Sequence, residues 1–339
     1  MNIFQIKAFL FFFLPLAIST IFFHRITKIK LGEGKWIRQK YQKNKRWGGV
    51  IIGFIFIFLL TLFQLIIPGF LLSKDFFSLI LGVLILLAGG LWDDLRNISW
   101  KKQLFFQLLA AGVVISVGDT INHIRLPWGE VFYFPFWLAI LSALLWIIMV
   151  INSLNWFDGV DGLAGSISLV SLLVLGILSV DQIVNQPNTA LLCLILAGII
   201  LGFLFFNFPP AKVYLGSAGV WIIGFVIAVI SLYSGGKIAT VALIFGFPLI
   251  NFILVSFERI TRGQYPTIGG DRLHLHEKLI DRGLKPQQVT LIISCFSLLF
   301  GVGALTFQTK GKFFLTFFLV LLFLLFYLSL NKSKPPEKK

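Results

Sequence analysis

The chain has 339 residues, of which 58% are hydrophobic and only 13% are charged, and its mean hydropathy is +0.92. A soluble globular protein does not need this much apolar surface, so the composition predicts a polytopic membrane protein whose surroundings are the lipid bilayer. The net charge of +15 does not indicate a nucleic-acid partner, because the Lys and Arg residues cluster in loops between apolar segments, where they set membrane topology.

Apolar stretches that are long enough to cross a membrane, or nearly so, recur along the whole chain. We predict an all-α fold of about eleven transmembrane helices, and we read the first stretch as a span rather than as a cleavable signal. No domain-sized polar insert separates the spans, so residues 1–339 are predicted to form one integral-membrane domain. The predicted spans are 4–23, 48–70, 76–92, 103–118, 134–151, 163–180, 190–206, 215–233, 238–257, 289–307 and 313–330.

The basic residues fall mainly on one side of the predicted membrane. Segment 24–46 carries nine of them, and taking it as cytoplasmic places the amino terminus outside and the carboxyl terminus inside. The cytoplasmic segments then hold 23 of the 29 Lys and Arg residues: 24–46, 93–102, 152–162, 207–214, 258–288 and the carboxyl tail. Only four of the 14 acidic residues lie outside, namely Asp75, Asp119, Glu130 and Asp181, so we expect the chemistry to face the cytoplasm.

The first polar motif, LWDDLRNISWKKQ, covers residues 91–103 at the end of the third predicted span. The carboxylates of Asp93 and Asp94 can hold Mg²⁺ or accept a proton, whereas Lys101 and Lys102 can bind phosphate oxygens. The alternative is a solvated loop whose lysines serve only topology. Acidic residues contribute little to topology, so the Asp pair favours a functional site.

The second motif, INSLNWFDGVDGLAG, spans residues 151–165 between two apolar runs. Asn152, Asn155, Asp158 and Asp161 recur at a spacing of three, which places them on one face if the helix continues through them. Hard oxygen ligands on one face suit Mg²⁺ that is held together with a substrate pyrophosphate. The alternative is an Asx-rich turn that caps two helices.

The third motif, NFPPAKVYLGSAG, covers residues 207–219. Its two prolines end a span, Lys212 follows where it can meet a phosphate, and the small residues that begin the next helix favour anions. A structural helix break explains this pattern equally well. Arg46, just before the second span, is a further candidate for a phosphate contact, although this signal has low specificity.

The fourth motif lies in the long loop 262–284 and contains the sequence DRLHLH. Asp271, Arg272, His274 and His276 place four polar groups within six residues, and both histidines can point into one pocket if the segment is extended. A zinc site is disfavoured, because no cysteine or third histidine lies nearby. We predict recognition of a sugar or a diphosphate, with a solvated amphipathic segment as the alternative.

Taken in order, the motifs RWGG, the Asp pair, NxxNxxDGxDGLAG, FNFPPAKVYLG and DRxHLH resemble those of the polyprenyl-phosphate N-acetylhexosamine-1-phosphate transferases. That superfamily also contains the phospho-MurNAc-pentapeptide transferases and the dolichyl-phosphate GlcNAc-1-phosphate transferases. The resemblance covers nearly all of the chain, and the DRxHLH form is more similar to the HexNAc-1-phosphate branch.

The resemblance implies a reaction in which a polyprenyl phosphate, such as undecaprenyl phosphate, attacks the β-phosphate of a UDP-HexNAc. UMP is released and a polyprenyl-diphospho-sugar remains, which is the first membrane step of cell-envelope glycan synthesis. The implied cofactor is Mg²⁺ or Mn²⁺, and the implied location is the plasma (inner) membrane with the site on the cytoplasmic side. A homodimer is compatible with this reading.

The resemblance also assigns roles to individual residues. The implied catalytic residues are Asp93, Asp94, Asp158 and Asp161. The implied metal ligands are Asn155 and Asp158, with Ser217 at the position of a further ligand. The implied substrate-binding residues are Arg46, Lys101, Lys102, Asn152, Lys212, Asp271, Arg272, His274 and His276.

Three residues depart from the family pattern. Ser217 stands where the family has an Asp that ligates Mg²⁺, Gln103 stands where a lysine is common, and Glu277 replaces a histidine. Loss of one carboxylate ligand is expected to weaken metal binding. The open readings are therefore an active GlcNAc-1-phosphate transferase, a phospho-MurNAc-pentapeptide transferase and a non-catalytic relative. A transporter is disfavoured, because the spans carry almost no ionisable residues at mid-depth.

Overall fold

A computed structural model describes residues 3–28, 45–67, 69–71, 73–182, 184–233, 237–264 and 273–332. Within these ranges the chain forms thirteen α-helices and one two-stranded antiparallel sheet. The first helices are α1 (Ile3–Lys28), α2 (Gly48–Ile66), α3 (Ser73–Arg96), α4 (Trp100–Ser116), α5 (Phe136–Phe157), α6 (Leu163–Val180) and α7 (Pro187–Asn207). The remaining helices are α8 (Gly216–Leu232), α9 (Lys237–Ile244), α10 (Gly246–Thr261), α11 (Leu275–Asp281), α12 (Pro286–Thr306) and α13 (Thr309–Lys332).

Eight of these helices are long and apolar enough to cross a membrane: α1, α2, α3, α5, α6, α7, α12 and α13. Helices α9 and α10 bend by 73° at Phe245 and count together as a ninth. The other two predicted spans form α4 and α8, whose 17 residues each extend over about 26 Å, somewhat less than a bilayer core. The prediction of an all-α, polytopic membrane protein is thus confirmed.

Two predicted loops are shorter than the sequence suggested. Helix α4 begins at Trp100, so Lys101 and Lys102 lie in its first turn and only residues 97–99 connect it to α3. Helix α5 continues to Phe157, so Asn152 and Asn155 are helical, whereas Asp161 lies in the following turn and does not share their helical face. Polar residues can sit in the end turns of a spanning helix because those turns lie at the membrane surface.

A small β-hairpin was not predicted from the sequence. Strands β1 (His123–Arg125) and β2 (Val131–Tyr133) pair antiparallel between α4 and α5, with Ile124 opposite Phe132. Three-residue strands are too short to show an alternating pattern in the sequence.

Helix α8 lies at the centre of the molecule. All of its residues except Ser217 are buried, and it packs against α2, α3, α5 and α9. Small residues permit this enclosure: Gly49 at the start of α2 faces Gly219, and a Cβ on Gly49 would overlap the backbone of Gly219. Close backbone contact through small residues is how membrane helices gain packing energy.

Candidate active site

The last turn of α3 carries Asp94, whose carboxylate caps the amino terminus of α8. It accepts hydrogen bonds from the backbone N–H groups of Ser217 (2.8 Å) and Ala218 (3.2 Å). Unpaired N–H groups at a helix start carry positive partial charge, so Asp94 satisfies and neutralises this end of α8. Gly216 makes the approach feasible, since its φ is +72° and a Cβ there would lie 2.7 Å from Asp94 Oδ2. The helix start that was predicted to attract a phosphate is therefore taken by the chain's own carboxylate.

The neighbouring Asp93 is held by three neutral donors. Its Oδ2 accepts a hydrogen bond from the Ser217 hydroxyl at 2.6 Å. Its Oδ1 accepts bonds from the Gln103 side-chain amide and the Ile98 backbone N–H, both at 3.0 Å. Ser217 and Gln103, two of the departures from the family pattern, thus bind the same carboxylate. Asp93 joins the end of α3 to the starts of α4 and α8.

Asp158 follows α5 as its carboxyl-terminal cap and is partly buried. Burial first, and then the negative charge of Asp94, raise the pKa of Asp158 well above its ordinary value of 3.8, while the Arg46 guanidinium opposes the shift. Within the described ranges, no group donates a hydrogen bond to this carboxylate. Asn155 lies one helical turn earlier, and its side-chain amide likewise makes no hydrogen bond to a described residue.

The side-chain oxygens of Asp158 and Asn155 are candidate ligands for the predicted magnesium ion. Among the residues that the structure describes, no three His, Cys, Asp or Glu side chains are grouped so that they could hold a metal. The Asp158 carboxylate and the Asn155 amide lie three residues apart, and their oxygens have no hydrogen-bond partner in the part of the chain that the structure describes. Mg²⁺ is commonly bound by one or two carboxylates together with substrate phosphates and water. The residues present therefore fit Mg²⁺ that is bound together with a phosphate, rather than a metal site made by protein alone.

Asp161 is held by hydrogen bonds from two other segments of the chain. Its Oδ2 accepts a hydrogen bond from the Ala211 backbone N–H at 2.9 Å, and its backbone carbonyl accepts one from the Thr290 hydroxyl at 2.9 Å. The buried Asn207 joins the same two segments, because it accepts from the Gly162 N–H and donates to the Val213 carbonyl. These bonds fix the turn after α5 against the loop 207–213. Asn207 was not predicted as a site residue, although an Asn at the end of an apolar span is a visible signal.

Asn152 pairs with Gln107 of α4. The Asn152 amide donates to Gln107 Oε1 at 2.7 Å and to the Ile148 carbonyl at 2.8 Å. Gln107 is buried, and sequence reasoning missed it although it is a polar residue within a predicted span. The pair joins α4 to α5 beneath the carboxylates.

A cluster of aromatic and cationic side chains flanks the turn after α5. The Trp156 ring lies 4.7 Å from the guanidinium of the buried Arg259 and 4.9 Å from the His274 ring. The His274 and His276 rings are parallel, 5.6 Å apart. Asn251 orients this segment by accepting a hydrogen bond from the Leu275 N–H and contacting His274 Nδ1. Trp156, Asn251 and Arg259 were not predicted.

His276 is the buried histidine of this cluster. Burial, followed by the neighbouring His274, lowers the pKa of His276 to about 3, so its ring is neutral at physiological pH. Its Nε2 faces Gly159, where a Cβ would lie only 2.8 Å away. The two predicted histidines therefore have different environments, and His276 supports the turn that carries Asp158.

The predicted phosphate-binding cations lie around these groups. Lys101, Lys102 and Lys212 are exposed, and Lys102 lies over the Trp92 ring at 4.9 Å. Arg46 is exposed immediately before α2, close enough for its charge to act on both Asp94 and Asp158. The remaining predicted site residues, Asp271 and Arg272, lie outside the described residues.

The candidate active site thus lies at one end of a helical membrane protein. It is built from the starts of α2, α4 and α8, the ends of α3 and α5, and the segment before α11. A carboxylate-rich site with surrounding cations at a membrane surface is the arrangement of an enzyme that handles phosphates. Comparisons with known proteins agree with this class.

Residues 76–235 match the profile of glycosyl transferase family 4. A protein of Sulfolobus acidocaldarius, named as a candidate UDP-N-acetylglucosamine–dolichyl-phosphate N-acetylglucosaminephosphotransferase, is 32% identical over 277 residues, which cover 77% of this chain and 82% of the relative. A probable undecaprenyl-phosphate N-acetylglucosaminyl 1-phosphate transferase of Bacillus subtilis is 26% identical over 255 residues, covering 74% and 70%. A phospho-N-acetylmuramoyl-pentapeptide-transferase of Lactiplantibacillus plantarum is 28% identical over 218 residues, covering 59% and 66%.

The chain belongs to glycosyl transferase family 4. The predicted superfamily and the predicted enzyme class, a glycosyl-1-phosphate transferase, are confirmed.

Proposed function

We propose that the protein transfers GlcNAc-1-phosphate from UDP-GlcNAc to a polyprenyl phosphate, with release of UMP. Two relatives that match more than two thirds of this chain are named for N-acetylglucosamine and for undecaprenyl or dolichyl phosphate. The observation that carries the proposal is Asp158, whose carboxylate accepts no hydrogen bond from a described residue and lies within electrostatic reach of Asp94 at the capped start of α8.

In the proposed reaction, an oxygen of the polyprenyl phosphate attacks the β-phosphorus of UDP-GlcNAc. The bond from that phosphorus to the bridging oxygen breaks, and UMP leaves with this oxygen. The carboxylate of Asp158 accepts the proton of the attacking phosphate when that phosphate carries one. Arg46 and the exposed lysines Lys101, Lys102 and Lys212 stabilise phosphate charge.

Asp93 and Asp94 contribute by position. Their carboxylates fix the start of α8 and the start of α4 beside Asp158, so the reacting groups meet a rigid frame. Trp156 and His274 lie next to the turn that carries Asp158, where the nucleotide of the donor would bind. Mg²⁺, held by Asp158 and Asn155 together with the pyrophosphate, would supply charge neutralisation.

The proposed location is the plasma membrane, with the site on the cytoplasmic side, the amino terminus outside and the carboxyl terminus inside. The bias of Lys and Arg toward the loops at the site's end of the molecule supports this orientation. With eleven crossings, α4 and α8 are short spans and α9 with α10 forms one bent span.

The test is UMP release by the purified full-length protein in detergent, with undecaprenyl phosphate as acceptor. We expect turnover with UDP-GlcNAc that requires Mg²⁺ or Mn²⁺, and a much weaker reaction with UDP-MurNAc-pentapeptide. Absence of turnover with every UDP-HexNAc would reject the proposal. Preference for UDP-MurNAc-pentapeptide would assign the protein to the branch of its Lactiplantibacillus relative instead.

A further inference from the structure

A second polar region lies at the opposite end of the molecule from Asp94. A cavity of about 540 Å³ lies here, between the starts of α3 and α7, the loop after α4 and the end of α8. Asp75 lines this cavity, whereas Asp93 lies 18 residues later on the same helix, which corresponds to about 27 Å along its axis. The cavity and the candidate active site are therefore separated by about the thickness of a bilayer core.

Three oxygen atoms at this cavity are shielded from solvent and have no hydrogen-bond partner among the described residues. They are Asp75 Oδ1, Asp119 Oδ2 and the Tyr233 hydroxyl. Burying an unpaired polar group costs roughly 1–3 kcal/mol, and more when the group is charged. Three such atoms on the lining of one cavity are therefore expected to bind a partner from outside the protein, such as an ion or water.

The charges at this site are poorly balanced. Burial, and then the negative charge of Asp75, raise the pKa of Asp119 to about 6, although Lys74 opposes the shift. The Tyr233 hydroxyl is close enough to Asp119 and Asp75 for their negative charges to act on it. Asp75 therefore lies within electrostatic reach of both Asp119 and Tyr233, and a negative charge on one of these groups disfavours a second beside it.

The nearest donors have other partners. The Lys74 ammonium donates to the Val117 carbonyl at 3.2 Å and forms no ion pair with either acid. Gln186 accepts a hydrogen bond from Lys237 at 2.7 Å and donates to the Tyr233 carbonyl at 3.1 Å. No described cation or amide is therefore directed at the three oxygens.

We propose that Asp75, Asp119 and Tyr233 form a binding site for a divalent cation, on the membrane face opposite the candidate active site. Two carboxylate oxygens and a hydroxyl are hard ligands, and the cavity has space for the waters that would complete the coordination. The ligands come from three separate elements, a flexible arrangement that suits Ca²⁺ better than the strict octahedron of Mg²⁺.

Such an ion would join the start of α3 to the end of α8. The same two helices are already joined at their other ends by Asp94 and the Ser217 N–H. Bound Ca²⁺ would therefore stabilise the packing of the central helix without contacting the reacting groups. This inference is independent of the proposed transferase reaction.

The experiment is a Ca²⁺ titration of the full-length protein in detergent after treatment with a chelator, read by the melting temperature and by displacement of Tb³⁺ luminescence. We expect a saturable rise in melting temperature for the wild type. Asp119→Asn and Asp75→Asn should each lower the apparent Ca²⁺ affinity at least tenfold. Asp181→Asn, an exposed acid on the same predicted face, and Asp158→Asn should keep the wild-type response.

The Asp119→Asn variant should be at least as stable as the wild type without Ca²⁺, because it removes a buried charge beside Asp75, so its folding can be checked directly. An equal Ca²⁺ response in Asp119→Asn and wild type would overturn the proposal. The absence of any response to Ca²⁺ would overturn it as well.

Discussion

At the scale of single residues, the adjacent acids of the first motif have different partners. Asp94 binds backbone N–H groups at a helix start, whereas Asp93 binds the side chains of Ser217 and Gln103. Asp158 binds neither kind of donor in the described chain. The three carboxylates therefore differ in what their removal should change.

We expect Asp158→Asn to lower UMP release by a factor of about 10² to 10⁴, the usual range for loss of acid–base catalysis. Its melting temperature should change little, because the variant loses no hydrogen bond to a described residue and buries a neutral amide. Asp161→Asn is the matched control: it weakens the bond to the Ala211 N–H and should lower the melting temperature. Full activity of Asp158→Asn would remove Asp158 from the mechanism.

Ser217 and Gln103 should behave as a coupled pair. Ser217→Asp places a second carboxylate beside Asp93, so like-charge repulsion should lower the melting temperature. Adding Gln103→Lys should restore it, since the ammonium would balance the added charge. A double-mutant cycle of melting temperatures and metal affinity measures the coupling. Additive effects of the two changes would contradict this explanation of the two departures.

The sequence was sufficient to predict the long apolar helices, because long apolar runs have one stable form in a membrane. It also predicted that Asp94, Asp158 and His274 belong to one end of the molecule. It did not predict the short helix α11, which lies in a predicted loop. It could not predict the roles of Gln107, Asn207 and Asn251, because each depends on a partner that is distant in sequence. The cap of α8 by Asp94 was hidden for the same reason, with 123 residues between donor and acceptor.

At the scale of elements, the contact between α2 and α8 depends on glycine. Gly49→Ala should destabilise the protein by about 1–3 kcal/mol, the usual cost of overpacking, because the added Cβ overlaps the Gly219 backbone. Gly112→Ala in α4 is the control, as no atom lies within 4 Å of its added Cβ. Thermal unfolding in detergent compares the two variants. Equal stability of both would show that α2 and α8 do not pack this closely.

The stability of the protein at acid pH should depend on His276, which lies in α11. Its folded pKa of about 3 lies below the ordinary 6.5, so below pH 6.5 the unfolded state binds more protons. Stability should therefore fall as the pH drops from 6.5 toward 3, by up to about 1.4 kcal/mol per pH unit, and should not depend on His276 above pH 7. Melting temperatures of wild type and His276→Asn across this range test the sign. An unchanged acid dependence in the variant would contradict the assignment.

At the scale of the whole molecule, different structures lie at the two ends of the helices. The candidate active site lies where α3 and α5 end, and the hairpin of β1 and β2 lies at the other end, between α4 and α5. The predicted topology places the hairpin outside the cell.

In a background without the two native cysteines, we expect Glu130→Cys to react with a membrane-impermeant maleimide in intact cells. Lys212→Cys should react only after the cells are opened, because it lies at the opposite end of the helices. Both side chains are exposed, so accessibility of the side chain itself does not differ. The reverse pattern would invert the proposed orientation.

The enclosed position of α8 also has a consequence for biogenesis. Its neighbours α2, α3 and α5 precede it in the chain, so they are synthesised before it leaves the ribosome. Helix α8 can then pass from the insertion machinery into a protein cleft that already exists, instead of residing first in lipid. We expect that a chain cut after residue 233 still associates α8 with its neighbours, whereas a chain that lacks α3 leaves α8 accessible to lipid-borne crosslinkers.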